Sequence, residues 1–179
     1  MKKILISALC LFISLQFKAQ NQQWEIVSST VSFKIKNAGF TVNGTFTGLT
    51  GTIEFDPEKS SGNKIEASID SKSVNTEGSG RDAHIKKDDF FAVDKFPKIS
   101  MSSISFTKET NGKFIGIFAL TMKGTTKDVP LVFSFTEHEG KAKFMGSFKI
   151  NRLDYKVGES IIILSDYPTI TLEVTCVKK

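Results

Sequence analysis

The side chains best suited to chemistry crowd into one short run, Arg81-Asp82-Ala83-His84, followed closely by Asp88 and Asp89. An imidazole beside carboxylates is the material of general acid–base catalysis, and the same groups are metal ligands. The spacing matches no known metal-binding loop, however, and Asp82 and Asp89 suit helix-end carboxylates that interact with free backbone donors. The other histidine, His138, sits in a polar turn and reads as solvated. No serine or cysteine lies in a nucleophile motif beside either histidine. Cys176, in the apolar phase of the last strand, reads as a small core residue. Catalysis is thus poorly provided for, and no catalytic set, metal site or cofactor is expected.

Two kinds of element must position these groups. Residues 80–97 form the one long stretch in which apolar residues stop alternating, and Ser79 with Asp82 three places on has the look of a capping box that starts a short helix. Asp88 or Asp89 is placed to cap a second turn. Phe90, Phe91, Val93 and Phe96 give the segment an apolar side, and Pro97 ends it. Elsewhere the period is two, the mark of strands with one dry face. Val31, Phe33 and Ile35 share one phase of a first strand. Phe40, Val42, Gly44 and Phe46 share a phase that Ile53 and Phe55 continue beyond the turn at residues 48–51, and these two runs are expected to pair as a hairpin. Ile65, Ala67 and Ile69 make a fourth strand before the helical plug.

After Pro97 the parity of Ile99 and Met101 changes to that of Ile104 and Phe106, which predicts a bulge near Ser102-Ser103. Turn signals at Asn111-Gly112, Lys123-Gly124 and Glu139-Gly140 separate runs holding Phe118 and Leu120, then Leu131 and Phe133, then Phe144, Gly146 and Phe148. Ile170 to Cys176 closes the chain. Eight or nine antiparallel strands with short turns fit either a closed barrel or a two-sheet sandwich.

Arg81-Asp82-x-His84-Ile85, Asp89-Phe90-Phe91-x-Val93 and Phe96-Pro97 together resemble the signature of the YceI-like family, the lipocalin-like, polyisoprenoid-binding proteins of the bacterial periplasm. Three further places resemble it: Trp24 with the strand around Phe33, the run from Leu120 to Lys127, and Asn151-Arg152-Leu153-Asp154-Tyr155 followed by Val157-Gly158. Ile85, Ala92 and Phe96 depart from the family's commoner residues while keeping the apolar or turn character. The resemblance implies an all-β, antiparallel, lipocalin-like barrel of about eight strands with a short helical insertion at 79–96.

The amino terminus, Met1-Lys2-Lys3, an apolar run from Ile4 to Phe17, then Lys18-Ala19-Gln20, has the order of a secretory signal peptide. Cleavage after Ala19 is expected, leaving residues 20–179 as one barrel domain in the periplasm or secreted. Cys10, within the apolar run, reads as an ordinary signal residue rather than a lipidation site. The formal charge of +5 falls to +2 on cleavage, since residues 1–19 hold three lysines and no acid. A near-neutral chain with scattered lysines lacks the basic face that nucleic acid requires. Membrane contact is expected to be transient if it occurs, and the oligomeric state stays open between monomer and homodimer.

The resemblance further implies a long isoprenoid tail inside the barrel. On that reading the lumen is lined by Phe33, Ile35, Phe40, Val42, Gly44, Phe46, Phe55, Ile69, Phe118, Leu120, Leu131, Phe133, Phe144, Gly146 and Phe148, with Arg81, His84 and Arg152 facing the head group. An ordinary aromatic core explains the same phenylalanines, and Arg152 has a structural alternative in pairing with Asp154 or a loop carboxylate. Gly44, Gly116 and Gly146 fall in the apolar phase, where a glycine either bends a strand or leaves room beside it. The leading function is non-catalytic binding, transport or sequestration of a polyprenyl or isoprenoid-quinone lipid. The alternatives are a stress-response or interaction module with a packed core and, less well supported, an enzyme using His84 and nearby carboxylates.

Overall fold

The computed structural model describes residues 21–179. The expected signal peptide lies outside the described residues. Period-two alternation becomes nine strands: β1 (Gln23–Asn37), β2 (Phe40–Phe46), β3 (Thr50–Glu54), β4 (Lys64–Asp70), β5 (Lys98–Lys108), β6 (Phe114–Met122), β7 (Thr125–His138), β8 (Lys141–Lys149) and β9 (Thr169–Lys178). All neighbours are antiparallel, and pairing of β9 back onto β1, from Trp24–Lys178 to Lys34–Thr169, closes the sheet into a lipocalin-like barrel. Closure removes the open edges that an eight- or nine-stranded sheet would otherwise expose.

The nine strands make eight staves, because β2 and β3 lie end to end along the same flank of β1. Phe46 of β2 pairs with Val31, while Ile53 of β3 pairs with Trp24. The expected β2–β3 hairpin therefore does not form. Instead β1 and β2 turn back on each other at Ala38-Gly39, and β3 pairs onward with β4. The phase continuing from Phe46 to Ile53 and Phe55 was compatible with both arrangements, since an interrupted stave keeps its inward face just as a hairpin does. The parity change in β5 is a register shift between Ser103 and Ser105.

The chain between Asp70 and Lys98 crosses one end of the barrel. A 3-10 turn at Ser71–Ser73 leads to Asn75, which exchanges two backbone hydrogen bonds with Thr45 and so covers the outer edge of β2. The helix α1 (Ser79–Ile85) follows, then a series of turns to Phe96. Gly78 is its N-cap, and Ser79 makes no side-chain capping bond, so the expected capping box is absent. Asp82 faces back along the chain instead, accepting hydrogen bonds from the amide and hydroxyl of Thr76. Phe91 from this plug meets Phe46 edge to face, with centroids 5.7 Å apart.

The far half of the barrel is filled. Phe55, fully buried, has ring centroids of Phe106, Phe114, Phe133, Phe135 and Phe144 within 5.1–5.7 Å. Trp24 completes this end by packing edge-on against Phe135 and donating its indole N–H to the Phe55 carbonyl at 2.8 Å. Cys176 is wholly buried in the same cluster, and burial pushes its thiol pKa up to about 11.

Candidate functional site

The half of the barrel nearer the plug is not filled. A cavity of about 380 Å³ opens there, walled by inward side chains of β1 (Val31, Phe33, Ile35), β2 (Val42, Phe46), β4 (Ala67, Ile69), β5 (Ile99, Met101), β6 (Leu120, Met122), β8 (Phe148) and β9 (Ile170, Leu172). Ile85, Phe90 and Phe91 of the plug lie over it on one side. On the other side Ile161, Ile163 and Leu164 approach from the loop between β8 and β9. A small set of polar groups interrupts this lining, chiefly Thr76, Arg81 and His84 at the mouth. An apolar pocket with a few convergent polar groups is the usual form of a small-molecule site.

The expected lumen residues divide by depth. Phe33, Ile35, Val42, Phe46, Ile69, Leu120 and Phe148 line the cavity. Phe55, Phe118, Leu131, Phe133 and Phe144 face inward but belong to the packed half. Phe40 lies outside the lumen: it shares the inward parity of β2 but stands beyond the rim, 76% exposed at the hairpin tip. Gly44 and Gly146 do not leave free space, because protein atoms occupy the volume that a side chain would take. A Cβ on Gly44 would lie 2.2 Å from Cζ of Phe33, and one on Gly146 2.9 Å from Leu131 Cδ1. Gly116 likewise makes room for the Phe118 ring, 2.4 Å from its would-be Cβ. Lining residues missing from the expectation fall into two groups. Ile99, Met101, Ile170 and Leu172 stand in recognisable apolar phases, whereas Ile161, Ile163 and Leu164 come from a loop with no period to read.

The three head-group candidates differ. Arg81 donates from Nε to the Thr76 hydroxyl at 2.7 Å and from Nη2 to the Thr76 carbonyl at 2.6 Å, which fixes the guanidinium at the cavity mouth. The same Thr76, by its hydroxyl and then its amide, holds the Asp82 carboxyl below the usual carboxylate range. His84 lies against Phe90, centroids 5.1 Å apart, with Nε2 3.6 Å from the Asp89 carboxylate. Arg152 is buried, 3% exposed, and is committed to the loop: it donates to the carbonyls of Ser165, Val157 and Glu159 and to the Asp166 carboxylate, all at 2.8–3.1 Å. It therefore shapes the cavity wall and is not available to a head group. Its partner is Asp166, not Asp154.

The blocks at 81–97, 120–127 and 151–158 converge on this end. Lys123 Nζ donates to the Lys156 carbonyl at 2.6 Å, and the Gly158 amide donates to the Asp89 carbonyl at 2.8 Å. Two turn glycines permit the approach: Gly124 (φ +72°) lies against the Phe96 ring, and Gly158 (φ +69°) fits between Phe90 and the Arg152 guanidinium. Any Cβ at either position would come within 3 Å of its neighbours, in a backbone region that L-residues seldom adopt. A family model described as the YceI-like domain matches residues 24–177.

The chain belongs to the YceI-like family. Solved structures place it among relatives. It superposes on a Campylobacter jejuni YCEI protein with a TM-score of 0.70 at 32% identity, covering 77% of this chain and 85% of that one. Burkholderia cenocepacia BcnA gives a TM-score of 0.80 at 20% identity, over 85% of this chain and 98% of BcnA. A Saccharophagus degradans protein described as a polyisoprenoid binding domain implicated in plant cell wall breakdown gives 0.67 at 14% identity, over 89% and 99%. At these last two identities the likeness is one of fold. The YceI-like signature is thus architectural, since its blocks build the rim over an apolar pocket.

Proposed function

We propose that this YceI-like chain binds one long-chain isoprenoid lipid, of polyprenyl or isoprenoid-quinone type, non-covalently and without catalysis, in the bacterial envelope. The observation that carries the reading is the cavity itself: about 380 Å³, apolar around its wall, and bordered at its mouth by Arg81 and His84. That volume falls within the roughly 300–1,000 Å³ of small-molecule sites. The isoprenoid assignment draws on the family and on the description of the Saccharophagus neighbour.

Burial of a CH₂ group contributes roughly 0.8 kcal/mol, so about ten give roughly 8 kcal/mol. Association costs about 4 to 15 kcal/mol, which a short tail does not offset and a long one does. The tail would lie among Phe33, Phe46, Leu120 and Phe148, and the N–H groups of Arg81 not taken by Thr76 would receive the polar head. Cleavage after Ala19 would release the barrel in the periplasm. A catalytic role for His84 is less well supported, because Asp82 is engaged by Thr76 and Asp89 stands 3.6 Å from the ring, beyond good hydrogen-bond length. The test is to produce the chain with its leader, purify it, extract it with organic solvent and identify the lipid by mass spectrometry. An isoprenoid lipid in the extract, retained in His84→Ala, is expected; a wild type that yields none, even after incubation with long-chain quinone, would end the proposal.

A further inference from the structure

Five of the large apolar residues that the described chain leaves most exposed stand together at the mouth: Phe40, Ile161, Ile162, Ile163 and Tyr167, with Ile162 fully exposed. Phe40 belongs to the β1–β2 tip and the other four to the β8–β9 loop, and the two segments are joined. The Ala38 amide donates to the Ile163 carbonyl at 2.7 Å and the Ser165 amide to the Lys36 carbonyl at 2.8 Å, which joins the β1–β2 tip to the β8–β9 loop. Ile161 and Ile163 line the cavity, whereas Ile162 between them does not. One side of the loop thus closes the pocket and the other is bare to water. Arg152 and Asp166 hold it in that shape from beneath.

The charged residues on the strands that flank this collar are lysines. Lys34 and Lys36 project from the outward phase of β1, and Lys149 from that of β8. Lys34 and Lys149 both lie in register with Thr169, one on each side of β9. None of the three has an ion-pair partner among the described residues. Of the other lysines, Lys72 pairs with Asp94, Lys95 with Asp88 and Lys143 with Glu173. The loop's own acids are Glu159 and Asp166, and the second is tied to Arg152.

We propose that the mouth of the barrel docks on an anionic lipid bilayer, with Phe40, Ile162 and Tyr167 entering the head-group layer and Lys34, Lys36 and Lys149 meeting lipid phosphates. A contiguous apolar patch rimmed by cations is the form taken by interfacial membrane anchors, and such lysines are drawn to a negative surface. A two-fold contact with a second copy fits less well, because it would bring this patch against itself and gather the same unpaired lysines around one seam. The bilayer would open directly onto the cavity, so a tail could pass between them without crossing water. That consequence rests on the lipid-binding reading above; the docking itself does not.

The experiment is vesicle flotation of the chain from Gln20 onward, which contains every described element, on phosphatidylcholine vesicles and on phosphatidylcholine–phosphatidylglycerol mixtures. Binding to the mixed vesicles, weakened by salt, is expected. Ile162→Asp should lower it by about tenfold or more, and Lys34→Gln with Lys36→Gln by a similar factor. Ile104→Asp, an exposed apolar position on β5, should leave it unchanged. Absence of binding in the wild type, or an equal loss in Ile104→Asp, overturns the docking. So does a wild-type dimer that fails to float and that Ile162→Asp makes monomeric, since the face would then join two copies. Extraction of the same protein after incubation with a long-chain isoprenoid quinone, before any vesicle is added, separates the two ideas. Flotation without extractable lipid supports the docking and counts against the lipid reading; lipid without flotation does the reverse.

Discussion

The ring of Phe33 covers Gly44, its register partner across β1 and β2, so closely that a Cβ on residue 44 would stand 2.2 Å from Cζ of the ring. The glycine lets an aromatic side chain lie against the sheet and thereby helps to keep the upper lumen open. Phe33 and Phe46, 5.8 Å apart, then form one wall of the cavity.

Gly44→Ala forces that ring inward. The expected cost is about 1 to 3 kcal/mol, the range for overpacking, read from the denaturant midpoint. The displaced ring should also take up lumen volume and reduce lipid content. An alanine variant as stable as wild type would show that the ring moves freely.

Arg152→Met removes the group that gathers the carbonyls of Val157, Glu159 and Ser165 around one cation and leaves Asp166 unpaired. Asp166 is 28% exposed, so the loss should fall below the about 3 to 5 kcal/mol of breaking a fully buried pair from one side. Hydrogen exchange should quicken across residues 157–167, while the β6–β7 hairpin keeps its protection. Arg152→Lys should not restore it, since a single ammonium cannot span that fan of acceptors.

Asp82 gives a pH signature. The hydroxyl of Thr76 above all, then its amide, depresses the carboxyl pKa in the folded state. Stability from this source is fully present above the unfolded-state value of about 3.9 and is lost as pH falls through the lower folded value. Asp82→Asn should therefore be the less stable protein near neutral pH, and the gap should close on acidification below about pH 4. A gap that holds constant into acid would mean that the charge on Asp82 contributes nothing.

Much of this was legible in the residues. Alternation showed which side chains face inward, and the parity change near Ser102-Ser103 located the irregularity in β5. Alternation has no information about depth, however. Phe118 and Leu120 are equivalent by period, yet Leu120 lines the cavity and Phe118 lies in the packed half. Phe40 keeps the phase of β2 while standing outside the barrel. The β2–β3 break misled for the same reason, because stave and hairpin share one inward face. Arg152 and the loop at residues 157–167 depend on contacts between distant segments with no local pattern.

Occupancy of the upper barrel is read most directly by native mass spectrometry of the chain from Gln20 after incubation with a long-chain isoprenoid quinone. Wild type should carry one quinone per chain. Ala67 lines the cavity with a small side chain, so Ala67→Phe should fill the space and lower occupancy by about tenfold or more, equivalent to about 1.4 kcal/mol of binding, while still melting cooperatively. Phe133→Leu, in the packed half, should lose stability but keep its quinone. Equal occupancy in wild type and Ala67→Phe, or a loss confined to Phe133→Leu, would place the ligand somewhere other than this cavity and contradict the lipid-binding reading.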